Sequence, residues 1–258
     1  MKIGYMPSIY SEDILPEIAF AKKHFDYIEI TFKRDLSIYS KKYISSMNDI
    51  LRGFKVMGHV HWGYDFSQGK PQNIYKAQKT IGMYKKIGAR KSTVHPSAGN
   101  GGSIERIRTN NIKSLGEIAG FCEENGVQML VENLQTFPYN RAVNLKDLIE
   151  KIPSIMITLD VGHANITSDS EFVNFLNIIG DKIGHIHLHD NIGEYDHLFF
   201  QDTKKLAKII KLIKKSGYND TITIESFRIM GKEKPIELGD EERKDLIIRQ
   251  LGEIRDLL

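Results

Sequence analysis

Residues 182–191 read KIGHIHLHDN, with His185, His187 and His189 alternating with Ile186 and Leu188. Successive side chains of a strand point to opposite faces, so a strand here lines three imidazoles along one face and sets the apolar pair on the other. Buried polar groups without partners are costly, and imidazole is the commonest protein metal ligand. The run therefore reads as a buried strand that feeds a chemical site. Hydrogen-bonded core histidines are the competing reading. The other histidines weigh against it: of nine in the chain, only His24 lies in a helical pattern away from a strand end.

Outward from this run, short β-rich segments alternate with longer helical ones. Strand-like runs cover 2–7, 27–32 (YIEITF), 55–62 (KVMGHVHW), 91–95, 127–132 (VQMLVE), 155–161 (IMITLDV), the histidine run and 221–225 (TITIE). Helical spacing covers 12–24, 41–52, 74–87, 104–125, 145–152, 171–180, 202–216 and 240–258. Ser11, Asn144 and either Asp169 or Ser170 are the expected N-caps of three of these helices. Pro16 requires the first helix to start late, and Gly88, Gly126 and Gly217 are expected helix stops. Strand alternating with helix implies parallel strands joined by crossovers. Eight such units in 258 residues is the size of a (β/α)8 TIM barrel. An open doubly wound sheet is the alternative, but no GxGxxG follows the first strand and no GxxxxGK[ST] occurs. No Pro- or Gly-rich linker divides the chain, so one α/β barrel domain over residues 1–258 is expected.

The net charge of +3 permits an anionic substrate or a nucleic-acid backbone and demands neither. No run of about 18 apolar residues marks a transmembrane helix, and MKIGYMPSIY lacks the apolar centre of a signal peptide. The lone Cys122 excludes an internal disulfide framework and fits a reducing cytoplasm. A cytoplasmic protein with no membrane partner is expected.

In such a barrel the active site lies at the C-terminal ends of the strands. There the sequence sets His59 and His61, then His95, Glu132, Asp160 with His163, the three alternating histidines with Asp196 and His197 after them, and Glu225. Imidazoles and carboxylates gathered this way form a mixed nitrogen and oxygen ligand set, suited to Mn, Zn, Co, Fe or Mg. His59 and His185 read as buried hydrogen-bonded residues. His189 reads either as a support behind the ligands or as a surface group. Lys33, Arg34, Arg141 and Arg228 lie in loops at this face, where they can hold a phosphate or stay solvated. Trp62 and Phe137 can stack on a sugar ring.

TVHPS at 93–97, VEN at 131–133, LDVGHA at 159–164, HLHDN at 187–191 and TIE at 223–225 follow one another at the ends of strand-like runs. In this order they resemble the xylose isomerase-like TIM-barrel superfamily. That group holds sugar isomerases and epimerases, related lyases and the endonuclease IV family of DNA repair enzymes. The resemblance runs from about the third strand to the eighth. It implies a divalent metal (Mn, Zn, Co or Mg) held by Glu132, Asp160, His187 and Glu225, with His187 beginning the HLxD pattern. Spacing agrees that a single ion takes one ring of the three, since alternate strand residues sit about 6.6 Å apart.

The implied function is a metal-dependent sugar or sugar-phosphate isomerase or epimerase, with Glu132 and Glu225 as the catalytic proton-transfer groups. His61, His95, His163 and Arg228 are the expected contacts to a small-molecule substrate. The alternative is an endonuclease IV-like zinc phosphodiesterase acting at abasic DNA, with His61, His95, His163 and His197 as further ligands of a multinuclear site. There the chain departs from the pattern: Asp196 and His197 are adjacent, whereas the nuclease separates its Asp and His by one residue. Dense basic and aromatic loops for gripping duplex DNA are also lacking. A barrel that has lost catalysis is a third reading, opposed by the complete ligand set. The metal, the substrate and a homo-oligomeric state are left open.

Overall fold

The computed structural model describes residues 1–258 apart from Ile9, Tyr10, Glu12, Asn100, Asp169 and Glu194. Its elements run β1 (Lys2–Tyr5), α1 (Leu15–His24), β2 (Tyr27–Ile30), α2 (Lys41–Leu51), β3 (Lys55–His59), α3 (Pro71–Lys86), β4 (Lys91–Val94), α4 (Ile104–Glu124), β5 (Gln128–Glu132), α5 (Ala142–Lys151) and β6 (Met156–Asp160). They continue with α6 (Val161–Thr167), α7 (Glu171–Ile178), β7 (Ile183–Leu188), β8 (Asp190–Ile192), β9 (Tyr195–Leu198), α8 (Thr203–Lys215), β10 (Thr221–Ile224), β11 (Arg228–Met230), β12 (Pro235–Glu237) and α9 (Asp240–Leu257). Eight parallel strands close into a barrel in the order β1-β10-β7-β6-β5-β4-β3-β2. The expected (β/α)8 TIM barrel is therefore the fold.

Two features lie outside the sequence reading. Helix α6 follows β6 without a loop, because the Asp160 side chain accepts from His163 N and caps it. A small sheet, β12-β11-β9-β8, rises from the loops after β7 and β10 and walls one side of the barrel mouth.

Several expected boundaries are corrected. Strands β2, β3 and β4 stop at Ile30, His59 and Val94, where the chain turns out of the sheet to carry later side chains over the mouth. Helix α1 starts at Leu15, with Pro16 in its first turn and Ile14 at the cap position without a side-chain bond; Ser11 is not its cap. Helix α5 starts at Ala142, so Asn144 lies inside the first turn, where its amide donates to the Pro138 carbonyl at 2.6 Å. Ser170 occupies the cap position of α7 without a side-chain bond to the helix, while Asp169 and Glu12 fall outside the described residues. Gly88, Gly126 and Gly217 take φ of 92°, 65° and 82° just beyond α3, α4 and α8, the left-handed stop expected of them.

The main core lies between barrel and helices, where Ile18, Met47, Ile81, Ile118, Leu145, Phe175, Ile210 and Ile247 pack in one buried cluster. Each such side chain contributes about 1.5–3 kcal/mol by leaving water. A separate cluster of Tyr27, Met57 and Leu130, with Met156 against it, fills the lower lumen. No described helix is long and apolar enough to cross a membrane. Cys122 is buried in the main core, and burial pushes its thiol up to about 12.

Candidate metal centre and active site

Strand alternation puts Glu29 on the same lumen face as Tyr27, His59 with Met57, Glu132 with Leu130, and His187 with His185. The apolar plug therefore lies at one level, and polar groups stack above it toward the C-terminal ends.

The lower polar layer is built on Glu29, which is fully buried. Its carboxylate accepts from Thr223 Oγ1 at 2.7 Å and Thr93 Oγ1 at 3.2 Å. It also meets His185 Nε2 at 2.9 Å and His187 Nε2 at 3.2 and 3.3 Å. The Thr221 hydroxyl and carbonyl stand 2.8 and 3.0 Å from His185 Nδ1, and the carbonyl also accepts from Tyr218 Oη at 2.7 Å. Facing an ionised Glu29, a neutral His185 donates from Nε2 and accepts from the Thr221 hydroxyl at Nδ1. Burial alone would raise the Glu29 carboxyl, but His187 and His185 hold it well below the usual carboxylate range.

Above this layer Glu132, Asp160, His187 and Glu225 converge, each offering one ligand atom with all four within 4.8 Å of one another. They come from consecutive strands of the barrel: β5, β6, β7 and the residue after β10. In the strand register Asp160 stands level with His187, Glu132 lies lower, beside Thr158, and Glu225 lies two residues beyond Thr223, the residue that pairs with His187. His187 Nδ1 lies 2.8 Å from Glu225 Oε2, 3.3 Å from Glu132 Oε2 and 4.0 Å from Asp160 Oδ2. Burial would depress the His187 imidazole, yet Glu225, Glu29 and Glu132 push it well above its ordinary value. Glu132 Oε2, Glu225 Oε2 and His187 Nδ1 are buried and without a hydrogen bond. Three carboxylates around one imidazole, with the unpaired atoms of Glu132 and Glu225 turned to that of His187, are positioned to bind a metal ion.

Asp160 is held rigidly. The Asn133 amide accepts from Asp160 N at 2.7 Å and donates to Asp160 O at 3.0 Å. Its side chain accepts from His163 N at 2.7 Å through Oδ1 and from His189 Nε2 at 2.9 Å through Oδ2. Burial opposes ionisation of Asp160, and His163 and His189 overcome it, holding the carboxyl below its ordinary value. His189 is thus neither a surface group nor free to leave Asp160. Its Nδ1 accepts from His197 N at 3.0 Å.

His61, His95, His163, His197 and Arg228 line a cavity of about 420 Å³ at the barrel mouth, with Glu132 and Glu225 in its wall; Phe137 and Arg141 do not line it. His95 Nε2 lies 3.2 Å from Glu132 Oε2. Burial lowers the His95 imidazole, but Glu132 reverses this and raises it. His163 Nδ1 meets the Asn133 carbonyl at 3.0 Å, and its Nε2 lies 3.8 Å from Asp196 Oδ2. Arg228 donates to Asp196 at 2.9 Å and stands 3.7 Å from Glu237. His61 accepts from Gly63 N at 2.9 Å and stacks on Trp62, with 5.0 Å between ring centroids; it belongs to the cavity wall and to no potential metal group among the described residues. His197 has a φ of 51°, rare for a side chain with a Cβ. Its backbone N–H bonds His189, its Nδ1 meets the Glu225 carbonyl at 3.2 Å, and its own carbonyl accepts from Phe227 N at 2.9 Å. Of the loop cations, Arg34 and Lys33 border neighbouring hollows rather than this cavity.

The sequence profile of the xylose isomerase-like TIM barrel family matches residues 18–248. The chain belongs to the xylose isomerase-like TIM barrel family. Two uncharacterized proteins of Methanocaldococcus jannaschii are related in sequence, one 39% identical over 127 residues (43% of this chain, 49% of that protein). The second is 32% identical over 146 residues (54% of this chain, 50% of that protein). The chain spans about half the length of the curated relatives it matches. Among solved structures, a D-psicose 3-epimerase in the presence of D-fructose superposes with a TM-score of 0.80 at 16% identity, covering 100% of this chain and 99% of that one. The 3-keto-D-glucoside 4-epimerase of E. coli superposes with a TM-score of 0.73 at 18% identity, covering 97% and 99%. At these identities the likeness establishes the shared fold.

Within this xylose isomerase-like barrel, three residues important to the site were not singled out for a role from sequence: Glu29, Asn133 and Gly162. Asn133 and Gly162 sit inside VEN and LDVGHA, so the motifs held the signal. Glu29 is flanked by two isoleucines in a strand, where a lone carboxylate on the lumen face was the available clue.

Proposed function

We propose that the chain is a divalent-metal-dependent sugar or sugar-phosphate isomerase or epimerase. The observation that carries this reading is the buried quartet of Glu132, Asp160, His187 and Glu225, with the two glutamates contributed by its outermost strands and both open to one cavity. A Mn, Zn, Co or Mg ion held by these four would polarise a carbonyl beside a hydroxyl and acidify the α-proton. One of Glu132 and Glu225 takes that proton. The other returns it on the opposite face for epimerisation, or to the neighbouring carbon for isomerisation. His95, His163 and Arg228 line the same cavity and offer hydrogen bonds to substrate hydroxyls or a phosphate. Trp62, Leu134 and Phe227 supply apolar walls. The volume suits one monosaccharide. The names of the superposing enzymes, both sugar epimerases, support the substrate class.

The experiment is elemental analysis of the purified chain together with conversion assays on a panel of ketoses and their phosphates, with and without a chelator. One divalent ion per chain and chelator-sensitive interconversion is the expected result. A fully metal-loaded protein that converts no member of the panel contradicts the reading.

A second reading, zinc-dependent hydrolysis at abasic DNA, draws on two further groups, His59–His95–Glu132 and His163–His189–His197. It is the weaker one, because His189 already spends both ring nitrogens on Asp160 and the His197 backbone. Three zinc ions per chain and cleavage of an abasic oligonucleotide would select it.

A further inference from the structure

We infer that Glu29 is a positioning residue for the site: it holds the His187 ring so that Nδ1 faces the quartet, and it places a buried negative charge beneath the ion. The inference rests on the metal-dependent reading above and assigns a role to a residue on the opposite side of the lumen.

Four donors converge on Glu29, two threonine hydroxyls and the Nε2 atoms of His185 and His187. A carboxylate accepts from all four at once when both rings carry their proton on Nε2. His187 then carries its proton on Nε2, and its other nitrogen is the one turned to Glu132, Asp160 and Glu225. A flip of the ring about Cβ–Cγ would set a carbon where Nδ1 stands and would break the bond to Glu29. A ligating imidazole whose other nitrogen donates to a carboxylate is both fixed in orientation and more basic. Among the described residues nothing else in the lower layer is placed to do this, since His185, Thr93 and Thr223 all act as donors to the same carboxylate. Those four bonds tie β2 to β4, β7 and β10 across the lumen, so the rival account of Glu29 is a purely structural cross-brace.

Glu29→Gln separates the two accounts. The amide keeps the size, but its NH2 must confront at least one of the four donors. The first readout is the ring N–H spectrum of metal-free protein, with His187 assigned by loss of its signal in His187→Gln. The second is the dissociation constant for Mn²⁺, measured by calorimetry. Wild type is expected to show a solvent-protected, downfield His187 Nε2–H resonance. In Glu29→Gln that resonance is lost or moves upfield, and the Mn²⁺ dissociation constant rises about 10–100-fold. Leu130→Ala, which weakens the apolar plug of the same lumen, lowers Tm while leaving Mn²⁺ affinity near wild type.

Wild type that binds Mn²⁺ and a folded Glu29→Gln that binds it equally well overturn the inference and leave the proposed function standing. Wild type that binds neither Mn²⁺ nor Zn²⁺ overturns the metal-dependent reading itself, and this role with it. Equal loss of affinity in Glu29→Gln and Leu130→Ala favours the cross-brace and also overturns the inference. If Glu29→Gln does not fold, the wild-type spectrum decides: without a protected Nε2–H on His187, the bond on which the role depends is absent.

Discussion

The imidazole of His189 lies so close to Gly162 that a Cβ added to the glycine would stand 2.0 Å from His189 Cε1 and 2.4 Å from Nδ1. The glycine of LDVGHA is therefore a matter of space, and the ring it admits is the one that donates to Asp160. Gly162→Ala must displace either His189 or the first turn of α6. We expect a loss of about 1–3 kcal/mol from overpacking and a weakened metal site, because one support of the Asp160 carboxylate, His189, is in that contact and the other, the His163 N–H, is on the next residue. Thermal melting and metal content measure the two effects. A variant with wild-type Tm and wild-type metal content would show that the contact is slack.

The three alternating histidines should behave differently. His187→Ala is expected to lose bound metal, since its Nδ1 is the imidazole nitrogen facing all three carboxylates. His185→Ala should keep the metal and lose stability, because its ring is spent on Glu29 and Thr221. His189→Ala should keep the ion with weakened affinity, as a support of Asp160. Metal content after dialysis ranks the three. Retention in His187→Ala would mean that another ring supplies the nitrogen ligand.

Far from the site, Glu17 in α1 accepts from the Tyr5 hydroxyl and from Arg243 Nη2 at 3.0 Å, with Lys244 Nζ also at 3.0 Å. Burial would raise the Glu17 carboxyl, but these donors hold it below its ordinary value of 4.5. A depressed carboxyl stabilises the fold above its unfolded-state value and loses that contribution as pH falls through the folded-state value. Glu17→Gln should thus melt below wild type at pH 7, and the gap should close as pH drops below about 4.5. Arg243→Met, which removes one of the two cations facing this buried carboxylate, should also melt below wild type at neutral pH. Melting curves of wild type and both variants across pH 3–7 check the sign; a gap that widens in acid would contradict it.

The barrel was legible because parallel strands and amphipathic helices each leave a periodic trace, and both recur eight times here. Helix α8 is a clear instance, with Leu206, Ile209, Ile210 and Ile213 all buried on one face. The quartet was legible because its members end strand-like runs within known motifs. What escaped is short or non-local. The strands β8, β11 and β12 have three residues each, too few for alternation to register. Helix α6 was hidden because one residue, Asp160, both ends β6 and caps the helix. Glu29 gave little sign of its partners because Thr93, His185, His187 and Thr223 are 64 to 194 residues away along the chain. Asn144 looked like a cap, but the Pro138 carbonyl nearby takes its amide and the helix begins before it.

The most direct test of the account is hydrogen exchange between solvent and substrate carbon. Metal-loaded wild type is incubated in D2O with a panel of ketoses and ketose phosphates, and the carbon-bound α-protons are followed by NMR. Glu132 and Glu225 acting as proton-transfer groups predict metal-dependent loss of the proton beside the carbonyl in at least one compound, abolished in Glu225→Gln. Full retention of every α-proton across the panel, with the metal shown to be in place, would contradict it.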